Sequence, residues 1–391
     1  MTFQARLHDH VLRQRLSAGR LVCLSGPGEV GKTATCKALA SRYLDGDRIA
    51  DRLVLLRGAA TVIQHLALDR AGDRELTVVI DNLHSCRKWK PLLRTLNARS
   101  GPGVRFVVTT LDAALAASLP GRAALRVHPW SVGDCTQTLP ADGPVKPASP
   151  IPEEDWQALL EHGGFPEPFQ KRDPRFTRRW NAQHWDQLIE RDLPQLTTTR
   201  DISMLQTLAA LLASRSATQL IYSDSSRALG VTVDTIRRWL DILERLQIGF
   251  RVRPWFTRIP KALRKEPKWF LRDWSGVVEP LARARTFIAC HLLKAVEGWT
   301  DLGFGQFELR YVKDKVKREA DFLVLRDRRP WFLVAVATGD TIDRTLGYFQ
   351  SRTRALHAFQ VVMDAPYIEE DCFQRAGPTS VLARTLLSQL L

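Results

Sequence analysis

Residues Leu21 to Ala40, LVCLSGPGEVGKTATCKALA, restrict the fold more than any other stretch of the chain. Leu21–Leu24 is a short apolar run, the pattern of a buried strand. Gly26-Pro27-Gly28-Glu29-Val30-Gly31-Lys32-Thr33 then satisfies every fixed position of G-x-x-x-x-G-K-[ST]. Lys32 to Tyr43 contains neither Gly nor Pro and predicts a helix. Strand, glycine loop and helix start, in that order, make an anion cradle. Glycines let the backbone curl so that successive N–H groups converge, and the helix adds its positive N-terminal end. Lys32 can reach β- and γ-phosphates, and the Thr33 hydroxyl can hold Mg²⁺. A chance match in a glycine turn is the competing reading, and the flanking strand and helix argue against it. ATP with Mg²⁺ is therefore expected at Gly26, Pro27, Gly28, Glu29, Val30, Gly31, Lys32, Thr33 and Ala34.

From there to Val127, apolar runs alternate with helical patterns. Leu21–Leu24, Leu53–Leu56, Thr77–Ile80, Val104–Val108 and Ala124–Val127 read as strands, with helices near 32–43, 59–70, 87–98 and 111–118. Such alternation predicts a mainly parallel sheet covered on both faces. The phosphate loop then lies at the carboxyl edge, where ligands bind in such sheets. The third strand ends in Val78-Val79-Ile80-Asp81-Asn82. An apolar run ending in an acid is the second signature of phosphate-loop NTPases, and it places Asp81 where a carboxylate can help hold Mg²⁺. ATPases of this type usually carry Glu next, to polarise the attacking water. Here Asn82 follows, and an amide accepts a hydrogen bond but not a proton near neutral pH. The expectation is ATP binding with slow or absent hydrolysis. Thr109 and Thr110 end the fourth strand, where a hydroxyl senses a γ-phosphate or caps the next helix. Arg122, in Leu119-Pro120-Gly121-Arg122, is either a surface arginine or one acting on a neighbouring subunit's nucleotide in a homo-oligomer.

Composition narrows the classes. At 391 residues, 45% apolar and 25% charged, the chain is expected to be soluble and to hold two or three domains. No run of 18 apolar residues predicts a membrane span, and the first 16 residues do not read as a secretory signal. Six scattered cysteines without C-x-x-C pairs suit a reducing cytoplasm rather than zinc or disulfides. The nine histidines do not cluster and there is no H-E-x-x-H. A net charge of +15 favours a polyanion partner, or is the background of an arginine-rich composition.

LPADGPVKPASPIP at 139–152 is a boundary or surface loop. Glu154–His162 and Arg178–Leu196 read as helices around the turn GGFPEP at 163–168. Asp201–Ser214 has helical periodicity. Ser223–Leu240 then gives a short helix, a turn at Gly230 and a second helix, with Ser223 and Thr232 at expected N-caps. Leu246–Val252 reads as a following wing. From Arg237 to Asp273 there are eleven basic and four acidic residues, with Trp239, Trp255, Phe256, Trp269 and Phe270 among them. Arg237 and Arg238 can enter the major groove of double-stranded DNA while Arg251, Arg253 and Arg258 meet phosphates. The alternative is a protein-binding winged helix whose aromatics are core.

The order of these features resembles a prokaryotic family of AAA ATPases with a winged helix and a nuclease-like C-terminal domain of unknown function. The likeness runs through GPGEVGKT at 26–33, VVIDN at 78–82, LPGR at 119–122, HPWS at 128–131, GGFPEP, ERDL at 190–193, PKWFLRD at 267–273 and READFLVLRDRRPWFLVAVAT at 318–338. It implies a PD-(D/E)XK fold at the C-terminus, where carboxylates collect a divalent ion and a lysine helps the attacking water. Asp321 matches the first acid. Ala335 and Ala337 stand where Glu and Lys are usual, and Arg285 stands near the place of an upstream Glu. The fold is expected to persist and the nuclease chemistry to be lost.

The expected architecture is α/β: an AAA+-like P-loop core over 1–138, a linker and helical lid over 139–200, a winged helix-turn-helix over 201–275 and a nuclease-like domain over 276–391. The expected role is a cytoplasmic ATP-responsive module that binds DNA or a protein partner. Two alternatives are an active ATPase that uses another acid, such as Glu29, and an interaction scaffold that binds neither ATP nor DNA.

Overall fold

The computed structural model describes all residues except 1–5, 71–73, 120–122, 137–142, 198–200, 257–265, 338 and 340–341. Arg122 and Arg258 lie outside the described residues. The chain divides into two compact units. The first comprises Met1–His128, Arg191–Thr198 and Arg245–Gln247, and the second Pro129–Glu190, Thr199–Glu244 and Ile248–Leu391.

The first unit is built on five parallel strands, β1 (Leu21–Ser25), β2 (Arg42–Asp45), β3 (Leu76–Asp81), β4 (Val104–Thr110) and β5 (Ala124–Arg126), in the order β2-β3-β4-β1-β5. Strands β1, β3 and β4 are buried on both faces, which explains their unbroken apolar sequences. Cys23, Val78, Ile80, Phe106 and Val108 join Leu92, Leu93 and Leu96 of helix Trp89–Arg99 in one core. All five carboxyl ends emerge at one edge, because the strands run the same way. β1 lies between β4 and β5, with Ser25 opposite both Thr110 and Arg126.

One strand differs from expectation. Leu53–Leu56 is the end of helix Ile49–Leu56, and the second strand is Arg42–Asp45, which the sequence pattern had merged with the preceding helix. A four-residue apolar run does not distinguish strand from helix. β2 is an edge strand with only Leu44 buried, so it shows no apolar run.

Among the described residues the second unit holds eight strands: β6 (Thr218–Gln219), β7 (Gly249–Pro254), β8 (Lys268–Leu271), β9 (Phe307–Lys313), β10 (Glu319–Arg326), β11 (Arg329–Ala337), β12 (His357–Val362) and β13 (Pro378–Leu382). They form one mixed sheet, β13-β12-β11-β10-β9-β7-β8-β6, and the parallel pairing of Arg253 with Arg310 and Pro254 with Tyr311 joins its two parts. The 23-residue helix Pro280–Leu302 starts with Glu279 capping Leu281 and Ala282 and ends at Gly303, φ +88°. Its Phe287 packs edge-on to Trp156 and Trp274.

Helix Tyr222–Leu229, Gly230 at φ +66° and helix Val233–Arg245 follow in order. The second helix buries Ile236, Trp239, Leu240 and Leu243, one stripe at helical spacing. Thr232 Oγ1 accepts from Thr235 N at 3.2 Å as a cap should. Ser223 is not a cap. Residue Ile221 holds that position, and the Tyr222 N–H goes to Glu266 Oε1 at 3.1 Å. No helix among the described residues is long and apolar enough to cross a membrane.

Candidate phosphate-binding site

The loop after β1 is shaped by two glycines for different reasons. At Gly26 a Cβ would lie 2.4 Å from Val127 O, so only hydrogen fits beside β5. Gly31 has φ +104° and caps helix Lys32–Leu39, a backbone state that favours glycine. Glu29 also takes a positive φ, +56°. Its side chain is exposed. Arg6, at the start of helix Leu7–Ala18, donates to Val30 O at 3.0 Å and to His128 O at 2.5 Å, pinning the loop's far side.

The Lys32 ammonium folds across the loop and donates to Gly26 O at 2.8 Å and Pro27 O at 2.5 Å. Burial lowers its pKa to about 8, against the raising effect of Asp81, Cys36 and Asp192. A phosphate oxygen offers the same donor a charged acceptor, which is the stronger bond. Ala34 is exposed in the first turn of the helix.

Asp81, fully buried at the end of β3, gathers three hydroxyls. Oδ2 accepts from Thr33 Oγ1 at 2.7 Å and Tyr43 OH at 2.6 Å, and Oδ1 accepts a short bond from Thr109 Oγ1. Burial, then the hydrogen bond to Asp81, pushes the Tyr43 phenol pKa up. Thr109 Oγ1 also accepts from Asn82 N at 2.9 Å. Thr109 is therefore not a helix cap: Asp112 caps Ala113–Ala117, accepting from Ala114 N at 2.9 Å. Asn82 has φ +54°, and its amide donates to Asp45 Oδ1 at 3.1 Å.

The structure brings the loop, Thr33, Asp81, Asn82 and Thr109 together. Six further contributors were not foreseen. Tyr43 and Asp45 sit on the missed edge strand. Arg191 stands 3.7 Å from Asp47, and Asp192 is buried and acts electrostatically on Lys32. Gln247 Nε2 reaches Ser25 Oγ at 3.3 Å and Leu111 O at 3.0 Å, and Arg245 pairs with Asp112 through Nε–Oδ1 at 3.2 Å and Nη2–Oδ2 at 2.8 Å. ERDL was the only one of these segments carrying a sequence signal.

The donor set suits a triphosphate with Mg²⁺. Mg²⁺ takes few protein oxygens and keeps phosphate and water ligands, and Thr33 and Asp81 offer a hydroxyl and a carboxylate side by side. Among the described residues no three His, Cys, Asp or Glu side chains are grouped to hold a metal ion.

In the second unit Asp321 is already matched by cations. Arg285 Nε lies 2.9 Å and Lys268 Nζ 3.4 Å from Oδ1, and Val336 N donates to Oδ2 at 2.9 Å. Glu319 pairs with Lys268 and, at 3.2 Å, with Lys313. Burial alone would raise the Glu319 pKa, but the two lysines hold it low. Ala335 and Ala337 contribute only methyl groups on β11.

The basic segment is partly neutralised within the fold. The Arg251 side chain is only 6% exposed and is held by Asp241 at 2.5 Å and by Glu244, so it is not a phosphate contact. Arg237 pairs with Asp234 at 2.8 Å and lies over Tyr222, while Arg238 and Arg253 are exposed. Trp239, Trp269 and Phe270 are core.

Residues 153–283 match the model of a domain of unknown function (DUF8612). Uncharacterised proteins of Mycobacterium tuberculosis and Mycobacterium bovis are each 26% identical over 277 residues, 67% of this chain and 56% of theirs. The chain thus spans little more than half the length of these curated relatives. Among solved structures, the Walker-type ATPase paby2304 of Pyrococcus abyssi overlaps 68% of this chain and 92% of its own, at 14% identity and a TM-score of 0.44. PCH-2 of C. elegans overlaps 61% and 65%, at 16% identity and a TM-score of 0.24.

Proposed function

We propose that the chain is an AAA+-like protein that binds ATP with Mg²⁺ at Gly26–Ala34 and Asp81 and hydrolyses it slowly or not at all. One observation carries this: Thr33 Oγ1 lies 2.7 Å from Asp81 Oδ2 at the mouth of a loop whose lysine already bonds inward. Backbone N–H groups, the Lys32 ammonium and the helix N-terminus supply the grip. Thr33 and Asp81 would hold Mg²⁺, which would supply neutralisation of the phosphate charge. The weak step is proton removal from water, because position 82 carries an amide.

The output is an ATP-responsive contact with DNA or a protein, made by a winged helix formed from Tyr222–Leu229, Val233–Arg245 and the β7–β8 pair. Exposed Arg238 and Arg253 support the DNA form. The nuclease-like reading of the β9–β13 region is of an inactive one, because Asp321 is spent on Arg285 and Lys268. The test is calorimetric titration with ATP and Mg²⁺ on wild type and Lys32→Ala, followed by phosphate release. Saturable binding lost in Lys32→Ala supports the reading. Equal heats for the two chains would refute it.

A further inference from the structure

Position 82 lacks the acid usual at such centres, yet its side chain is not loose. Asn82 Nδ2 donates to Asp45 Oδ1 at 3.1 Å, across the β2–β3 pair that sets Asp45 opposite Asp81. Both partners are fixed. Gly46 N donates to Asp81 O at 2.9 Å, and a Cβ at Gly46 would meet Asn82 O at 2.5 Å, so the two backbones lie against each other. Asp45 Oδ1 also accepts from Asp47 N at 3.0 Å, and the Asp45 N–H goes to Asp51 Oδ2 at 3.0 Å. On the other side, Asn82 N is held by Thr109, the residue that also bonds Asp81. The left-handed backbone at 82, φ +54°, is one that asparagine tolerates.

A carboxylate only accepts hydrogen bonds, so it selects the NH₂ side of the amide. The amide oxygen is thereby turned away from Asp45 as an acceptor of fixed direction. We propose that Asp45 is a positioning residue for nucleotide hydrolysis: it locks the Asn82 amide so that Oδ1 accepts a hydrogen bond from the attacking water. The inference rests on the nucleotide reading above and deepens it. The water oxygen bonds to the γ-phosphorus, the bond from that phosphorus to the bridging oxygen of ADP breaks, and the water's proton passes to a phosphate oxygen. Asn82 orients the water without taking the proton, which is why turnover is slow. Asp45 acts through Asn82 and touches neither water nor phosphate.

The test uses the full chain: ATP affinity by titration, turnover by phosphate release, and thermal midpoint, for wild type, Asp45→Asn, Asp45→Ala and the exchange Asp45→Asn with Asn82→Asp. Removing the carboxylate should lower kcat about tenfold or more while the ATP Kd stays within about twofold, the split expected of a group used only in the transition state. The exchange keeps the carboxylate–amide pair in reversed sense and should restore kcat to at least the wild-type value, which a purely structural aspartate would not explain. If the single variants do not fold, the exchange chain alone decides. An unchanged kcat in Asp45→Asn, or a folded exchange chain that stays inactive, overturns the inference. Wild type that binds ATP but releases no phosphate overturns the inference alone. Wild type that does not bind ATP removes the nucleotide reading as well.

Discussion

Thr33 Oγ1 and Asp81 Oδ2 lie 2.7 Å apart, which joins the first turn of helix Lys32–Leu39 to the end of β3 although 48 residues separate them in the chain. The Asp81 carboxylate also takes Tyr43 and Thr109. Three strands and one helix therefore depend on a single buried acceptor, and the consequences can be measured.

Lys32 should make affinity depend on pH. Lys32→Ala is expected to weaken ATP binding by about 10- to 100-fold, the loss of charge-assisted hydrogen bonds of ~1.5–3 kcal/mol. Its pKa falls from 10.5 to about 8 on burial. Between these values the unfolded chain holds a proton that the folded chain has released, so the Lys32 contribution to stability rises with pH over that window. Phosphate favours the charged form. ATP binding at pH 8.5 should therefore take up a proton, seen as heats that change with buffer ionisation enthalpy, and affinity should fall as pH climbs past 8. Heats independent of buffer would contradict it.

Gly26→Ala should be severe. The added methyl carbon would lie 2.4 Å from Val127 O, a backbone atom hydrogen-bonded into the sheet through its own residue's N–H to Ser25. A loss of ~2 kcal/mol or more is expected from such overpacking. A urea midpoint equal to wild type would show that the loop relaxes freely.

A glutamate at position 82 is not a simple repair. Asn82→Glu would place a larger residue at φ +54° and set a second carboxylate against Asp45. Strain of ~1–2 kcal/mol is expected from the backbone alone. The thermal midpoint should fall, and adding Asp45→Asn should recover part of the loss by removing the like charge.

How much of this could be read in the sequence follows from how local each signal is. The glycine loop, Lys32 and Thr33 occupy one short pattern, and Asp81 ends an apolar run that only a buried strand explains. Tyr43 and Asp45 left no such trace, because an edge strand with one buried leucine looks like the tail of a helix. Gln247 reaches Ser25 across 222 residues, a contact that no local periodicity encodes. Arg251 misled because its charge is visible in the sequence while its partners, Asp241 and Glu244, lie on the preceding helix facing it.

Arg245 and Asp112 should be energetically coupled. The pair is bidentate, and Asp112 also caps helix Ala113–Ala117. Arg245→Ala is expected to cost ~1 kcal/mol because the guanidinium is partly exposed. Asp112→Ala should cost about 1 kcal/mol more through the lost cap. A double-mutant cycle by urea unfolding should give a coupling of at least ~0.5 kcal/mol, and strict additivity would deny the pair.

If the basic face meets DNA, Arg251 and Arg253 should behave differently. Arg253→Ala should lower the slope of log K against log salt by about one, as for one phosphate contact. Arg251→Ala should instead lower the thermal midpoint, because it strips Asp241 and Glu244 of their shared cation. The reverse pattern would place Arg251 at the interface.

The backbone passes between the two compact units at five points, after residues 128, 190, 198, 244 and 247. No single cut releases the phosphate-loop unit whole. A fragment ending near residue 138 would keep Ser25, Leu111 and Asp112 but lose Gln247 and Arg245, which bond to them. Such a fragment would be a damaged phosphate-loop unit rather than a minimal one, so gene truncation is a poor guide to what this protein can do. Splicing the unit into another chain would require transplanting three separate pieces at once.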